Sequence, residues 1–271
     1  MAIVYIKPGT GSGSGTLSAP YFYSELATAE TSAGANGTIL FTDGDYVVGA
    51  TTWDGTGSDA ITYQSLNKQK AVIKTSGTLA EFKLGGNTDS STFNLKDFKF
   101  IDLYFYIYNT GAGEISGNFM TCSSNIALPA NGFLRFKNSG SMKFKNNVVH
   151  IKRSSGTYIT RDEGKLSEWS GNSFYISNLS GGENIESYTN TFSSIGVLKN
   201  NIWETDNSNN DSVHSRLAIS ASSTTSCFGD FGPSNTSGGT NNVFAEPLFV
   251  DSANDDFRLR PSSPCINAGT A

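Results

Sequence analysis

Apolar and polar residues alternate in short runs along most of this chain, the period-two pattern of half-buried strands. Ile3 to Ile6 begins the pattern and Pro8 closes it. The stretch Gly9-Thr-Gly-Ser-Gly-Ser-Gly-Thr16 reads as a polar loop, because it has neither a GK[ST] ending nor the strand–loop–helix setting of a phosphate cradle. From Tyr21 to Ala33 the period changes. Phe22, Leu26 and Ala29 fall at i, i+4 and i+7, Glu25 and Glu30 can face water, and Pro20 and Gly34 punctuate the two ends. That combination predicts the single helix. Strand-sized pieces then recur: Thr38 to Thr42 before an Asp-Gly turn, Ala60 to Gln64, Ala71 to Lys74, Ala80 to Leu84 and Phe93 to Ile101. Phe93 and Leu95, then Phe98 and Phe100, keep one face apolar, and the shift of register at Asp97 predicts a corner or bulge. Tyr104-Phe-Tyr-Ile-Tyr108 is apolar throughout, as a strand covered on both faces would be.

A degenerate repeat runs through the middle of the chain: a small or polar residue, an asparagine, then an apolar strand. Its copies are Ser116-Gly-Asn-Phe119, Lys145-Asn-Asn-Val148, Ser170-Gly-Asn-Ser-Phe174, Tyr188-Thr-Asn-Thr-Phe192 and Lys199-Asn-Asn-Ile202. Asn118, Asn147, Asn172 and Asn201 recur at about 25 to 29 residues, with Asn190 interposed. A period of this size predicts a solenoid, whose repeats bury their apolar faces only against one another. Asparagine tolerates the left-handed backbone of a corner, and its amide can bond to copies above and below.

Composition narrows the class. Charged residues make up 16 % of the 271, the net charge is −5, and glycine alone contributes 29 residues. An acidic chain lacks the basic footprint of a general nucleic-acid binder, and no run approaches the ~20 apolar residues of a membrane span. Met1 leads straight into Ala-Ile-Val-Tyr-Ile without the pattern of a secretion signal, so the expectation is either a product that meets no secretion machinery or one whose original start has been replaced by a tag. Cys122, Cys227 and Cys265 are few, odd in number and far apart, so buried free thiols are expected.

The ending NVFAEPLFVDSANDDFRLRPSSPCINAG resembles the C-terminal cap of the right-handed parallel β-helix superfamily, which includes pectate-lyase-like enzymes and phage tailspikes. SGTLSAPYFYSELATA with GTILFTDGDYVV resembles the opening of that superfamily, and ITYQSLNKQKAVIKTSG its second coil. The expected fold is therefore an all-β, single-domain right-handed parallel β-helix. Residues 1–36 would hold an N-terminal strand, a Gly/Ser loop and a capping helix, 37–242 the coils, and 243–271 an irregular cap.

The resemblance carries fold more firmly than activity, since lyases, hydrolases, adhesins, epimerases and tailspikes share this architecture. For a lyase it implies a Lys or Arg base, and Arg153, Arg161 and Lys165 are the candidates. The plainer reading of that stretch is a solvated charged loop. Asp251, Asp255 and Asp256 read as turn chemistry rather than a calcium loop, and His150 and His214 lack metal-ligand spacing. No metal and no cofactor are expected. Trp53, Tyr104, Tyr106, Trp169 and Trp203 are candidate sugar-stacking platforms, although core stacking is the commoner use of such rings. The favoured function is a non-enzymatic structural or attachment protein of a bacteriophage virion, a tail or capsid appendage. Its partners would be other virion proteins, a second copy of itself and a surface glycan, with neither nucleic acid nor membrane insertion. The alternative is a secreted polysaccharide lyase or glycoside hydrolase, extracellular if an upstream signal has been removed.

Overall fold

The protein is a right-handed parallel β-helix, seen in a computed structural model that describes residues 2–53, 60–85, 92–108, 111–127, 132–137, 141–155, 158–163, 166–177, 186–187, 197–205, 223–229 and 240–269. Among the described residues, strands stack into three parallel sheets of ten, nine and six members, and successive strands along the chain pass from one sheet to the next. The first sheet includes Phe93–Lys96, Ala112–Ser116 and Ser141–Lys145; the second, Lys99–Ile101, Phe119–Ala127 and Val148–Ser155; the third, Leu103–Tyr108, Leu134–Lys137 and Tyr158–Glu163.

Alternation along each strand sends every second side chain into the shaft. Leu103, Phe105 and Ile107 are buried while Tyr104, Tyr106 and Tyr108 stay half-exposed, so that strand is covered on one face and not on both. The interior is a column of rings. Phe41 stacks on Trp53 at 5.0 Å, and Phe82, Phe100 and Phe105 continue from Trp53 at 4.9 to 5.2 Å. Toward the C-terminal end Phe144, Trp169, Phe174 and Trp203 follow the same pattern.

The corners between the first and second sheets explain the asparagine repeat. Asp97, Asn146 and Asn200 have positive φ of 65°, 53° and 57°, and Gly117 and Gly171 take the same place at 70° and 67°. The residue before each repeat asparagine therefore makes the left-handed turn, and the asparagine itself points inward. A side chain added at Gly117 or Gly171 would also collide with the carboxylate of Asp97 or the amide of Asn146. Asn118, Asn147, Asn172 and Asn201 are fully buried. Asn118, Asn147 and Asn172 each donate from Nδ2 to the Oδ1 of the next asparagine at 3.0 to 3.1 Å, and that Oδ1 also accepts the donor residue's backbone N–H at 3.0 to 3.1 Å. Asn201 ends the ladder, its Nδ2 donating to the Lys199 carbonyl at 3.0 Å. The remaining Nδ2 hydrogens go to Leu95, Ile115, Phe144 and Trp169 carbonyls. Every amide is thus satisfied in the dark, as buried polar groups must be. Asn190 lies outside the described residues.

The ends depart from expectation. The α-helix is only Leu26–Ala33. Tyr21–Phe22 instead pairs with Ile6 and Lys7 as a strand, because Pro20 and the preceding glycine loop deliver it to an open sheet edge. Glu30 does not face water: it is 5 % exposed and accepts the Tyr63 hydroxyl at 2.7 Å. At the other end Val243–Phe244 adds a last rung to the second sheet. The chain then turns back, and the hairpin Phe249–Asp251 and Asp256–Leu259 lies along the outer flank of that sheet. Phe257 packs against Phe119, His150 and Tyr175 at 6.1, 5.1 and 5.7 Å. The free-thiol expectation fails here. Cys227 and Cys265 form a disulfide that ties the tail to the shaft, and Cys122 alone is free and buried. Two cysteines 38 residues apart are brought together because the cap reverses direction, which spacing does not reveal.

Candidate functional site

The third sheet displays a strip of aromatic and cationic groups on its outer face. Tyr104, Tyr106 and Tyr108 sit at alternate positions of Leu103–Tyr108. Parallel pairing places Glu81 beside Tyr104, Lys83 and Arg135 on either side of Tyr106, and Lys137 beside Tyr108. The Arg135 guanidinium lies over the Tyr106 ring at 4.5 Å, Lys137 over Tyr108 at 5.1 Å, and Lys83 near Tyr106 at 6.0 Å. Tyr106 and Tyr108 meet edge to face at 5.1 Å. Lys83 and Glu81 pair at 3.1 Å, and burial, with Glu81 alongside, raises the Tyr104 phenol above its ordinary value.

This changes the chemistry expected of Tyr106. Its faces are taken up by cations from the coils above and below, so a sugar ring cannot stack flat on it. The strip instead offers guanidinium and ammonium donors with ring edges between them, on rungs ~4.8 Å apart. Such a surface suits a hydroxyl-rich or anionic chain.

The other candidates divide. Trp53, Trp169 and Trp203 are interior, at 0 %, 0 % and 4 % exposure, and offer no face to a ligand. All three stack on core rings, Trp53 on Phe41, Trp169 on Phe144 and Trp203 on Phe174. Arg153 falls on Val148–Ser155 and Arg161 on Tyr158–Glu163, where its backbone pairs with Arg135. Lys165 and His214 lie outside the described residues. The acidic stretch is dispersed: Asp251 accepts from Asn254, Asp256 is gripped by Arg258, which holds its carboxyl down to about 2, and Asp255 turns toward the shaft. Among the described residues no group of three or more potential metal ligands gathers, and no helix is long and apolar enough to cross a membrane.

Sequence reasoning missed one constellation entirely. His150 Nδ1 lies 2.7 Å from Asp255 Oδ1, and its Nε2 lies 3.2 Å from Ser177 Oγ. The order matches a Ser-His-Asp relay, but the exposure is inverted. A hydrolase needs its serine open and its aspartate enclosed. Here the Asp255 side chain is 28 % exposed, His150 is sealed beneath Phe257 and Tyr175, and Ser177 is buried. The trio clasps the cap to the shaft. Its members come from three distant segments, so no local signal exists. Arg135 had one: it follows Tyr106 by the same 29-residue step that separates Asn118 from Asn147.

Set against models of protein families, curated proteins and solved structures, the chain matches none of them.

Proposed function

We propose that this chain is a structural or attachment rod rather than an enzyme, a bacteriophage tail or capsid appendage of the pectate-lyase-like and tailspike-like β-helix superfamily. Its outer flank contacts a surface glycan, and its other partners are virion proteins and a second copy of itself. The observation that carries the reading is the strip of Lys83, Tyr106, Arg135, Tyr108 and Lys137, held flat by the third sheet. Two further features support it. The polar trio that most resembles catalytic machinery is used to hold the cap. The disulfide suits an oxidising setting such as a particle surface or the extracellular space.

Purified protein offered uronate-containing and neutral polysaccharides should bind without turnover, giving no unsaturated-product absorbance and no new reducing ends. Tyr106→Ala combined with Arg135→Ala should weaken binding about tenfold, equivalent to ~1.4 kcal/mol. The chain should also be found in purified particles by mass spectrometry. Turnover abolished by Arg153→Ala or Lys165→Ala would establish a lyase instead, and turnover abolished by Ser177→Ala a hydrolase.

A further inference from the structure

We propose that an extended segment of another protein docks at the N-terminal end of the shaft, adding a strand to the open edge of the second sheet. The segment carries a cation, an aromatic and an aliphatic residue in succession. Among the described residues the second sheet ends at Gly44–Val47. Gly44 and Val48 donate to the Lys70 and Lys74 carbonyls of the neighbouring rung, so by alternation Asp45 and Val47 turn their N–H and carbonyl groups the other way. Among the described residues no backbone partner meets them there. An unpaired edge of this kind is a template for strand addition.

The first sheet treats its edge differently. Ile3–Lys7 and Tyr21–Phe22 carry it two rungs past Thr38–Phe41, a step of about 10 Å. The glycine loop then seals it: Tyr5 donates to the Gly15 carbonyl, and a side chain at Gly13 would collide with the Pro20 carbonyl. The second sheet is left recessed. Gly9–Thr10 and Tyr23–Ser24 wall the recess without filling it, leaving a hollow of ≈ 250 Å³ against Asp45, Tyr46 and Val47. The blunt end of a second shaft would meet the two extra rungs first. A single extended segment can enter.

The walls set the chemistry of the occupant. Asp45 is the one charged residue lining the hollow, and Lys74 pairs with its Oδ2. Asp43, also exposed, precedes it by two residues. Val47 is 57 % exposed, an uncovered aliphatic side chain at the sheet margin. In register, an added rung places one residue outward beside Asp45, the next inward toward Tyr23 and Tyr46, and the third outward beside Val47. A cation, an aromatic ring and an aliphatic side chain suit these three positions in turn. The chain itself uses that run two rungs further along, where Lys99, Phe100 and Ile101 occupy the same three columns. This edge is separate from the Tyr106 strip and stands whether or not the strip binds a glycan.

Amide exchange and chemical-shift mapping of the intact chain test the proposal with three end-blocked peptides: STKFITS, its N-methylphenylalanine form, and STEFITS. In the free chain the Asp45 and Val47 amides should exchange fast, while those of Gly44, Tyr46 and Val48 are protected. STKFITS should slow both edge amides and shift Thr10 and Ser24. In this register the phenylalanine N–H donates to the Asp45 carbonyl, so its methylation should weaken binding at least about tenfold. Asp45→Lys should lose STKFITS and gain STEFITS, a swap that damage to the fold would not produce. Edge amides already protected in the free chain, whether by another of its own segments or by self-association at higher concentration, would overturn the proposal. So would equal binding of the methylated peptide, indifference to the charge swap, shifts confined to residues 104–108, or no shift at all. Shifts at 104–108 alone would leave the attachment reading standing without this docking edge.

Discussion

Replacing Asn147 with leucine would keep the volume of a buried side chain and remove every polar atom that its neighbours use. The Asn118 backbone N–H and Nδ2 would both lose the Asn147 oxygen, and the Ile115 carbonyl would lose its donor. Asn147→Leu should therefore cost roughly 1–3 kcal/mol in a denaturant titration, and an unchanged midpoint would show that the ladder adds nothing. The asparagines were legible in the sequence because they recur in phase with the coils. Their chemistry was only half legible. The left-handed turn belongs to the residue before, and Asn146 and Asn147, identical in type, do different jobs because one turns the chain and the other points inward.

At the scale of the element, the C-terminal hairpin decides how the chain closes. Its motif announced a cap, but its position on the flank of the second sheet comes from a surface that no local window contains: Phe119, His150 and Tyr175, on strands of three successive coils. The same blindness hid the disulfide and the clasp. Thiol titration reads the arrangement directly. The chain holds three cysteines, so the unfolded, unreduced protein should show one thiol and the reduced protein three. Burial pushes the Cys122 thiol up to about 11, so in the folded protein it should resist alkylation at pH 8. Three thiols before reduction would refute the pairing.

Over the whole molecule, each coil touches mainly its neighbours, so stability should be graded along the shaft rather than uniform. The rings from Phe98 to Phe174 and the four buried asparagines occupy its middle. Native-state hydrogen exchange should be slowest for the strands between Phe93 and Ser177 and faster toward Ile3–Lys7 and Val243–Phe244; uniform protection would argue for one all-or-none unit. The solenoid itself was readable because its period repeats in sequence. The binding strip was less so, since Lys83, Tyr106 and Arg135 become neighbours only once coils stack in register. The covalent tie near the C-terminus has a mechanical consequence. Cys227 and Cys265 close a loop that cannot lengthen, so tension applied beyond Cys265 enters the shaft at the rung of Cys227. The 38-residue span between them withholds about 130 Å of slack that would otherwise pay out under load. A pull on the tail is therefore passed into the stacked coils before the cap can unravel.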